Sequence, residues 1–224
     1  MIFGSHCSII LEAIFIKGFY VNNNVCIFDN LREKYGMFQD FYDNEKIEDL
    51  ITEVEGILNL NGKVFEIGEA LNIIGFSIFR IELDSNIGGI FIRSAEIENI
   101  LGKDRNKVVL LNKDKSLEEQ RFTMAHELGH YIFDYRHNDY FSMHASEETD
   151  TRNEKRASRF AAALLMRKDM FIESFNNLKA SNCNQEEFLI KLAHEYCVPQ
   201  STVVKRINEL RLQLVRIENE LWKD

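Results

Sequence analysis

Two histidines separated by three residues, with a glutamate directly after the first, stand at His126, Glu127 and His130. On a helix, residues i and i+4 share a face, so both imidazoles can offer a nitrogen to one metal ion. Glu127, one step round, can reach a water beside that metal and take its proton as general base. The chemistry this spacing suits is metal-assisted hydrolysis. The blander alternative is a pair of core histidines satisfied by hydrogen bonds.

The element that must hold this trio is a helix, and the flanking residues supply one. Ser116-Leu117-Glu118-Glu119 is a capping box, with Ser116 as N-cap and Glu119 three residues on. Phe122, Ala125, Gly129, Ile132 and Phe133 recur at helical spacing on the flank carrying the histidines, so the motif faces a core. Buried imidazoles need partners, and a metal is a natural one.

A catalytic zinc usually takes three protein ligands and keeps one position for water. A third histidine six residues after the second, with glycine at plus three, would be the metzincin arrangement; here those positions hold Arg136 and Phe133. Asp134, Asp139, Glu147, Glu148, Asp150, His137 and His144 lie in a polar stretch that reads as loop. The better candidate is Glu154. Thr151–Met166 reads as a helix, and Ala161-Ala162-Ala163 gives it a thin face by which its axis can approach the histidine helix, bringing a carboxylate one turn earlier to the metal. The alternative for Glu154 is a solvated glutamate at a helix start, interacting with the dipole.

Arg121–Phe133, followed by Glu154-Lys-Arg-Ala-Ser-Arg-Phe-Ala-Ala-Ala-Leu-Leu-Met166, resembles the ImmA/IrrE family of metallopeptidases, whose hallmark is RFTxAHELGH and then a helix of the form ExxAN/DxFAxxLLMP. The similarity covers roughly residues 45 to 212. It implies Zn2+ held by His126, His130 and Glu154, with Glu127 as the catalytic glutamate. It also implies a protein substrate, typically a helix–turn–helix transcriptional repressor of a mobile genetic element or stress regulon, cleaved once so that repression is relieved. Ser158 stands where the family often has Asn or Asp, and Arg167 where proline usually follows LLM. A group at 158 would orient a ligand histidine, and a hydroxyl is a weaker acceptor than a carboxylate.

The remaining elements predict an α+β, zincin-like domain with a small mixed or antiparallel sheet. Helical periodicity runs through Ile47, Leu50, Ile51, Val54, Ile57 and Leu58 and stops at Asn61-Gly62; a second short helix runs from about Val64 to Ile74 and ends at Gly75. The period then becomes two, giving strands at Phe76–Leu83, Gly88–Ile92 and Val108–Asn112. The sheet edge of such a fold can accept an extended peptide as an added strand. Gly88-Gly89 would let a substrate backbone approach closely, or is a plain turn into a strand. Three regions follow: residues 1–43, an extension with β-rich runs at Ser8–Ile16 and Phe19–Phe28; 44–167, the metallopeptidase domain; and 168–224, a helical segment. In the last, Asn184 caps a helix to about Tyr196 and Pro199 opens the final one. Its outline is helix–turn–helix, suited to packing or partner recognition, and Leu210, Leu214, Ile217 and Leu221 offer a seam for packing or dimerisation.

Composition sets the limits. With 224 residues, 45 % apolar, the chain can bury a sizeable core. The apolar run Ile9–Ile16 is broken by Glu12 and lacks a basic lead-in, so neither a signal peptide nor a membrane span is expected. Cys7, Cys26, Cys183 and Cys197 are scattered and read as free thiols of a cytoplasmic protein. A net charge of −9 argues against direct nucleic-acid binding, although Lys205, Arg206, Arg211 and Arg216 form a local basic excess. A zinc endopeptidase is therefore expected. The competing reading is a metal-bound regulator that binds a repressor without turnover; a third is a peptidase-like toxin component of a mobile element. Tyr131, Tyr135, Tyr140, His137 and His144 are near enough in sequence to stabilise an oxyanion, and none is singled out.

Overall fold

The computed structural model describes residues 30–31, 33–35, 44–102, 105–134, 140–145 (backbone only), 152–181 and 183–213. The β-rich runs expected at Ser8–Ile16 and Phe19–Phe28, together with His137, Asp139, Glu147, Glu148, Asp150, Leu214, Arg216, Ile217 and Leu221, lie outside the described residues.

Helix α1 (Asn44–Leu58) forms from the expected stripe, with Ile47, Leu50, Ile51, Val54 and Leu58 buried. Asn59, in the left-handed region at φ 50°, breaks it. Helix α2 (Ile67–Ile73) ends at Gly75, whose φ of 86° suits a glycine that turns the chain into β1 (Phe76–Ile81). Strand β2 (Ile87–Arg93) follows, then α3 (Ala95–Leu101) and β3 (Lys107–Asn112). Helix α3 has no counterpart in the sequence expectations. Its N-cap is Ser94, whose hydroxyl accepts from the Glu96 N–H at 3.2 Å.

The sheet order is β1-β3-β2-β4, with β1 parallel to β3 and β2 antiparallel to both β3 and β4. Strand β4 (Tyr140–Ala145) occupies a stretch expected to be loop. Its backbone pairs with β2 from Arg93↔Tyr140 to Ile87↔Ala145, so the neighbouring strand, more than local pattern, makes it a strand. Strand β3 is buried along its whole length because it is covered on both faces. Its alternate residues divide between two clusters. Val109 and Leu111, with Phe91, join the main core, whereas Val108 and Leu110 pack with Ile97 of α3 and the partly buried Phe79, Ile81, Ile90 and Ile92.

Helix α4 (Leu117–Phe133) lies in that main core. Its capping box is present: Ser116 Oγ accepts from the Glu119 N–H at 3.2 Å, and the Ser116 N–H donates to Glu119 Oε2 at 3.0 Å. From Gln120 to Phe133 only Phe122 is not fully buried. Helix α5 (Arg152–Leu165) packs along α4, its second half buried from Phe160 to Leu165. Helices α6 (Lys168–Lys179), α7 (Gln185–Tyr196) and α8 (Gln200–Glu209) follow. Phe171, Phe175, Phe188, Leu192, Val203 and Ile207 share one cluster with Leu50 and Val54 of α1, so the main core runs from Leu31 to Ile207.

Three arginines lock this arrangement. Arg167, at the family's proline position, is the N-cap of α6 and clamps the α1–α2 loop, donating to the Leu60 carbonyl at 3.0 Å, the Gly62 carbonyl and the Glu55 carboxylate. Arg121 donates to the Phe65 carbonyl at 2.8 Å and the Cys197 carbonyl at 3.2 Å, tying α4 to the α7–α8 turn. Arg206 of α8 is buried in a bidentate pair with Glu48 of α1, at 2.7 and 3.1 Å. A basic residue that a nucleic-acid reading would need on the surface is therefore spent inside the protein.

Candidate metal centre

Spacing on α4 brings the two histidines together as expected: His126 Nε2 and His130 Nε2 stand 2.9 Å apart. From α5, Glu154 reaches both, with Oε2 3.1 Å from His126 Nε2 and Oε1 3.2 Å from His130 Nε2. Ala161-Ala162-Ala163 are buried on α5, and the two helices also pass close at Gly129 and Ala157, where a Cβ on Gly129 would lie 3.0 Å from the Ala157 Cα. Ala157 is three residues after Glu154, so this close approach lies about one turn from the carboxylate.

Each histidine is held from behind. Ser158 Oγ lies 3.3 Å from His126 Nδ1, the ring-orienting contact expected at that position. Asp134 Oδ2 lies 2.7 Å from His130 Nδ1, and Asp134 Oδ1 pairs with Arg156. Asp134 was among several nearby carboxylates in the sequence; the structure makes it a partner of a candidate ligand. Its signal was available, since it sits four residues after His130 on the same helix face. His144 is on β4, paired in register with Gly89.

Electrostatics fit a cluster built for a cation. Burial by itself pushes the His130 pKa down, but its hydrogen bonds to Asp134 and Glu154 and the charge of Glu127 outweigh it and raise it to about 10. Burial likewise opposes ionisation of Glu154, yet contact with both histidines holds its carboxyl far below the usual range. Glu127 is fully buried beside them. Glu154 keeps 23 % of its side chain exposed, so the cluster meets solvent at that carboxylate.

The donor set suits a metal. The ligand atoms of His126, His130 and Glu154 all lie within 4.8 Å of one another. Donors about 2.0–2.1 Å from one tetrahedral zinc stand roughly 3.3 Å apart; the two Nε2 atoms stand 2.9 Å apart, and each lies 3.1–3.2 Å from a different oxygen of the Glu154 carboxylate. With Nδ1 of each ring engaged by Ser158 or Asp134, both Nε2 atoms face one point. Two imidazoles and a carboxylate suit zinc and other divalent first-row ions.

Of the candidates near in sequence, Tyr131 sorts out as packing; Tyr135 and His137 lie outside the described residues. Tyr131 is buried, edge-on to Phe76 at 5.2 Å, and its hydroxyl accepts from Lys107 Nζ at 3.3 Å. Gly89 makes room for the site helix and not for a substrate backbone: a Cβ there would stand 2.5 Å from Thr123 Cγ2 and 2.9 Å from the Leu110 carbonyl. Gly88 lies where the pairing with β4 slips by one residue.

Among curated proteins none matches the chain. The family model described as the IrrE N-terminal-like domain matches residues 88–208, from β2 to α8, with His126, Glu127, His130 and Glu154 all inside it. That span is more than half of the 224 residues, and the chain belongs to this family of metallopeptidases, Peptidase M78.

Proposed function

We propose that the protein is a zinc-dependent endopeptidase in which His126, His130 and Glu154 hold the ion and Glu127 is the general base. The single observation that carries this reading is the convergence of the three donors, with Glu127 buried next to them on the same helix turn. Zinc bound there supplies Lewis acidity, lowering the pKa of water and polarising a carbonyl. Glu127 takes the proton of the attacking water and passes it to the leaving amine. Asp134 and Ser158 keep the histidine rings turned toward the ion.

A family of peptidases implies a protein substrate. The reading extends this to a helix–turn–helix transcriptional repressor in the cytoplasm, cleaved at one site to release a mobile-element or stress regulon. Among the described residues strand β4 ends the sheet, so an extended segment of that repressor would add to it as a further strand. No helix among the described residues is long and apolar enough to cross a membrane. The basic stretch at the C-terminus serves packing in this reading, as the buried Arg206–Glu48 pair supports.

The test is co-expression with the repressor encoded next to the gene, comparing the wild-type protein with Glu127→Gln and His126→Ala. The amide cannot accept a proton, so Glu127→Gln keeps its zinc and loses cleavage by a factor of about 10²–10⁴. His126→Ala loses both. Full derepression by Glu127→Gln with the repressor intact would instead establish a regulator that acts by binding alone.

A further inference from the structure

Helix α5 touches the cluster three times within five residues. Glu154 meets both Nε2 atoms, Ser158 meets His126 Nδ1, and Arg156 reaches Asp134, which in turn meets His130 Nδ1. The two contacts of Asp134 use different oxygens, Oδ1 for Arg156 and Oδ2 for His130, so they do not compete. Both side chains are sheltered, at 6 % exposure for Asp134 and 10 % for Arg156. The Arg156 guanidinium is fixed further by lying over the Phe133 ring, 4.8 Å from its centroid.

An imidazole that gives its Nε2 lone pair to a metal must carry its proton on Nδ1. A carboxylate facing Nδ1 accepts that N–H, selecting the tautomer and fixing the ring plane, whereas a hydroxyl both donates and accepts and selects less strongly. We infer that Asp134 is a positioning residue for His130, that Arg156 acts through it as a cationic clamp, and that the two histidines are consequently unequal, His130 being held by charge and His126 by the Ser158 hydroxyl. This deepens the metallopeptidase reading and rests on it. Docking of α5 then delivers a ligand and the orientation of both histidines together, so metal affinity reports on the α4–α5 crossing as much as on the ligands.

Asp134 also closes α4, its N–H donating to the His130 carbonyl at 2.9 Å, so a purely structural role is the alternative to exclude. Asp134→Asn keeps the shape and the backbone cap but replaces the charge. The probe is zinc alone, titrated against a chromophoric chelator into the full-length protein and into Asp134→Asn, Arg156→Gln and Ser158→Ala. The His130 ring nitrogens are followed by NMR in the zinc-loaded forms.

Asp134→Asn should weaken zinc about 10–100-fold, with the His130 Nδ1–H proton resonance moved upfield because its charged acceptor is gone. Arg156→Gln should fall in the same direction by less, and Ser158→Ala should lose less than Asp134→Asn. A wild type that binds no zinc overturns the metal reading and this inference with it. A wild type that binds zinc while Asp134→Asn binds equally well, with the His130 Nδ1–H resonance unmoved, leaves the metal reading standing and overturns the clamp. Should Asp134→Asn fail to fold by circular dichroism, Arg156→Gln decides by the same titration, unchanged affinity again refuting the clamp.

Discussion

Gly129 of the site helix lies against Ala157 of the helix that delivers Glu154: a Cβ at 129 would meet the Ala157 Cα at 3.0 Å, its carbonyl at 3.2 Å and Phe160 Cδ1 at 3.2 Å. Two of these are backbone atoms, so a side chain there has to move a whole helix. Because Glu154 sits one turn before Ala157, the displacement reaches the carboxylate directly. The motif's glycine is thus the spacer that sets the distance from the histidines to their third partner.

Substitution at 129 should uncouple stability from metal affinity. Gly129→Ala gains about 1 kcal/mol of helix propensity against an overpacking cost of about 1–3 kcal/mol, so its melting temperature should move little. Its zinc affinity should nevertheless fall, because the α4–α5 separation has grown. Gly129→Val should lose both. A Gly129→Ala protein with undiminished zinc affinity would show that the crossing distance does not govern the site.

Gly89 carries the same logic on the opposite face of α4. A Cβ 2.5 Å from Thr123 Cγ2 and 2.9 Å from a carbonyl cannot be absorbed by one rotamer change. Gly89→Ala should cost roughly 1–3 kcal/mol, measured by urea unfolding of the metal-free protein. A change within a few tenths would mean that the sheet and helix yield freely there.

The Arg206–Glu48 pair should be costly to break and cheap to replace. Removing only the arginine takes the shared cation away from two largely buried carboxylates, Glu48 and Glu209, and Arg206→Ala should destabilise by about 3–5 kcal/mol. Replacing both partners, Arg206→Met with Glu48→Met, should recover most of that loss. Parallel thermal melts of the single and double variants check it; a double variant no better than the single would show that the charge pair itself is required.

Chelation should destabilise, and the size of the effect should depend on pH. In the metal-free protein, His130 is raised from 6.5 to about 10. Its contribution is therefore fully present below 6.5 and is lost as pH rises through about 10. Glu154 is lowered from 4.5, so its contribution holds above that value and is lost only at strongly acid pH. The metal-free cluster is thus strongest between these two unfolded values and weakens toward alkali. Zinc competes with protons for the same nitrogens and so stabilises more as pH rises. The gap in melting temperature between zinc-loaded and chelated protein should widen from about pH 6 to about pH 9; a constant gap would contradict this.

What the sequence determined by itself was whatever repeats at short range. The i,i+4 pair and its glutamate, the Ser116–Glu119 capping box, the stripe of α1 and the alternation of β1, β2 and β3 all express one local period, so each is readable without its neighbours. Glu154 stood out because a helix with a small-residue face followed it, and family resemblance pointed to the same residue. The tertiary structure decided what depends on pairs distant in sequence. β4 is a strand because β2 is there to pair with it. Asp134 gains its second partner because α5 carries Arg156 to its other oxygen. Gly89 is needed because α4 crosses above it, and Arg206 is buried because Glu48, 158 residues earlier, waits in the core. Local pattern selects the element, but the partners of a side chain are set by packing, which brings together residues that no short-range period relates.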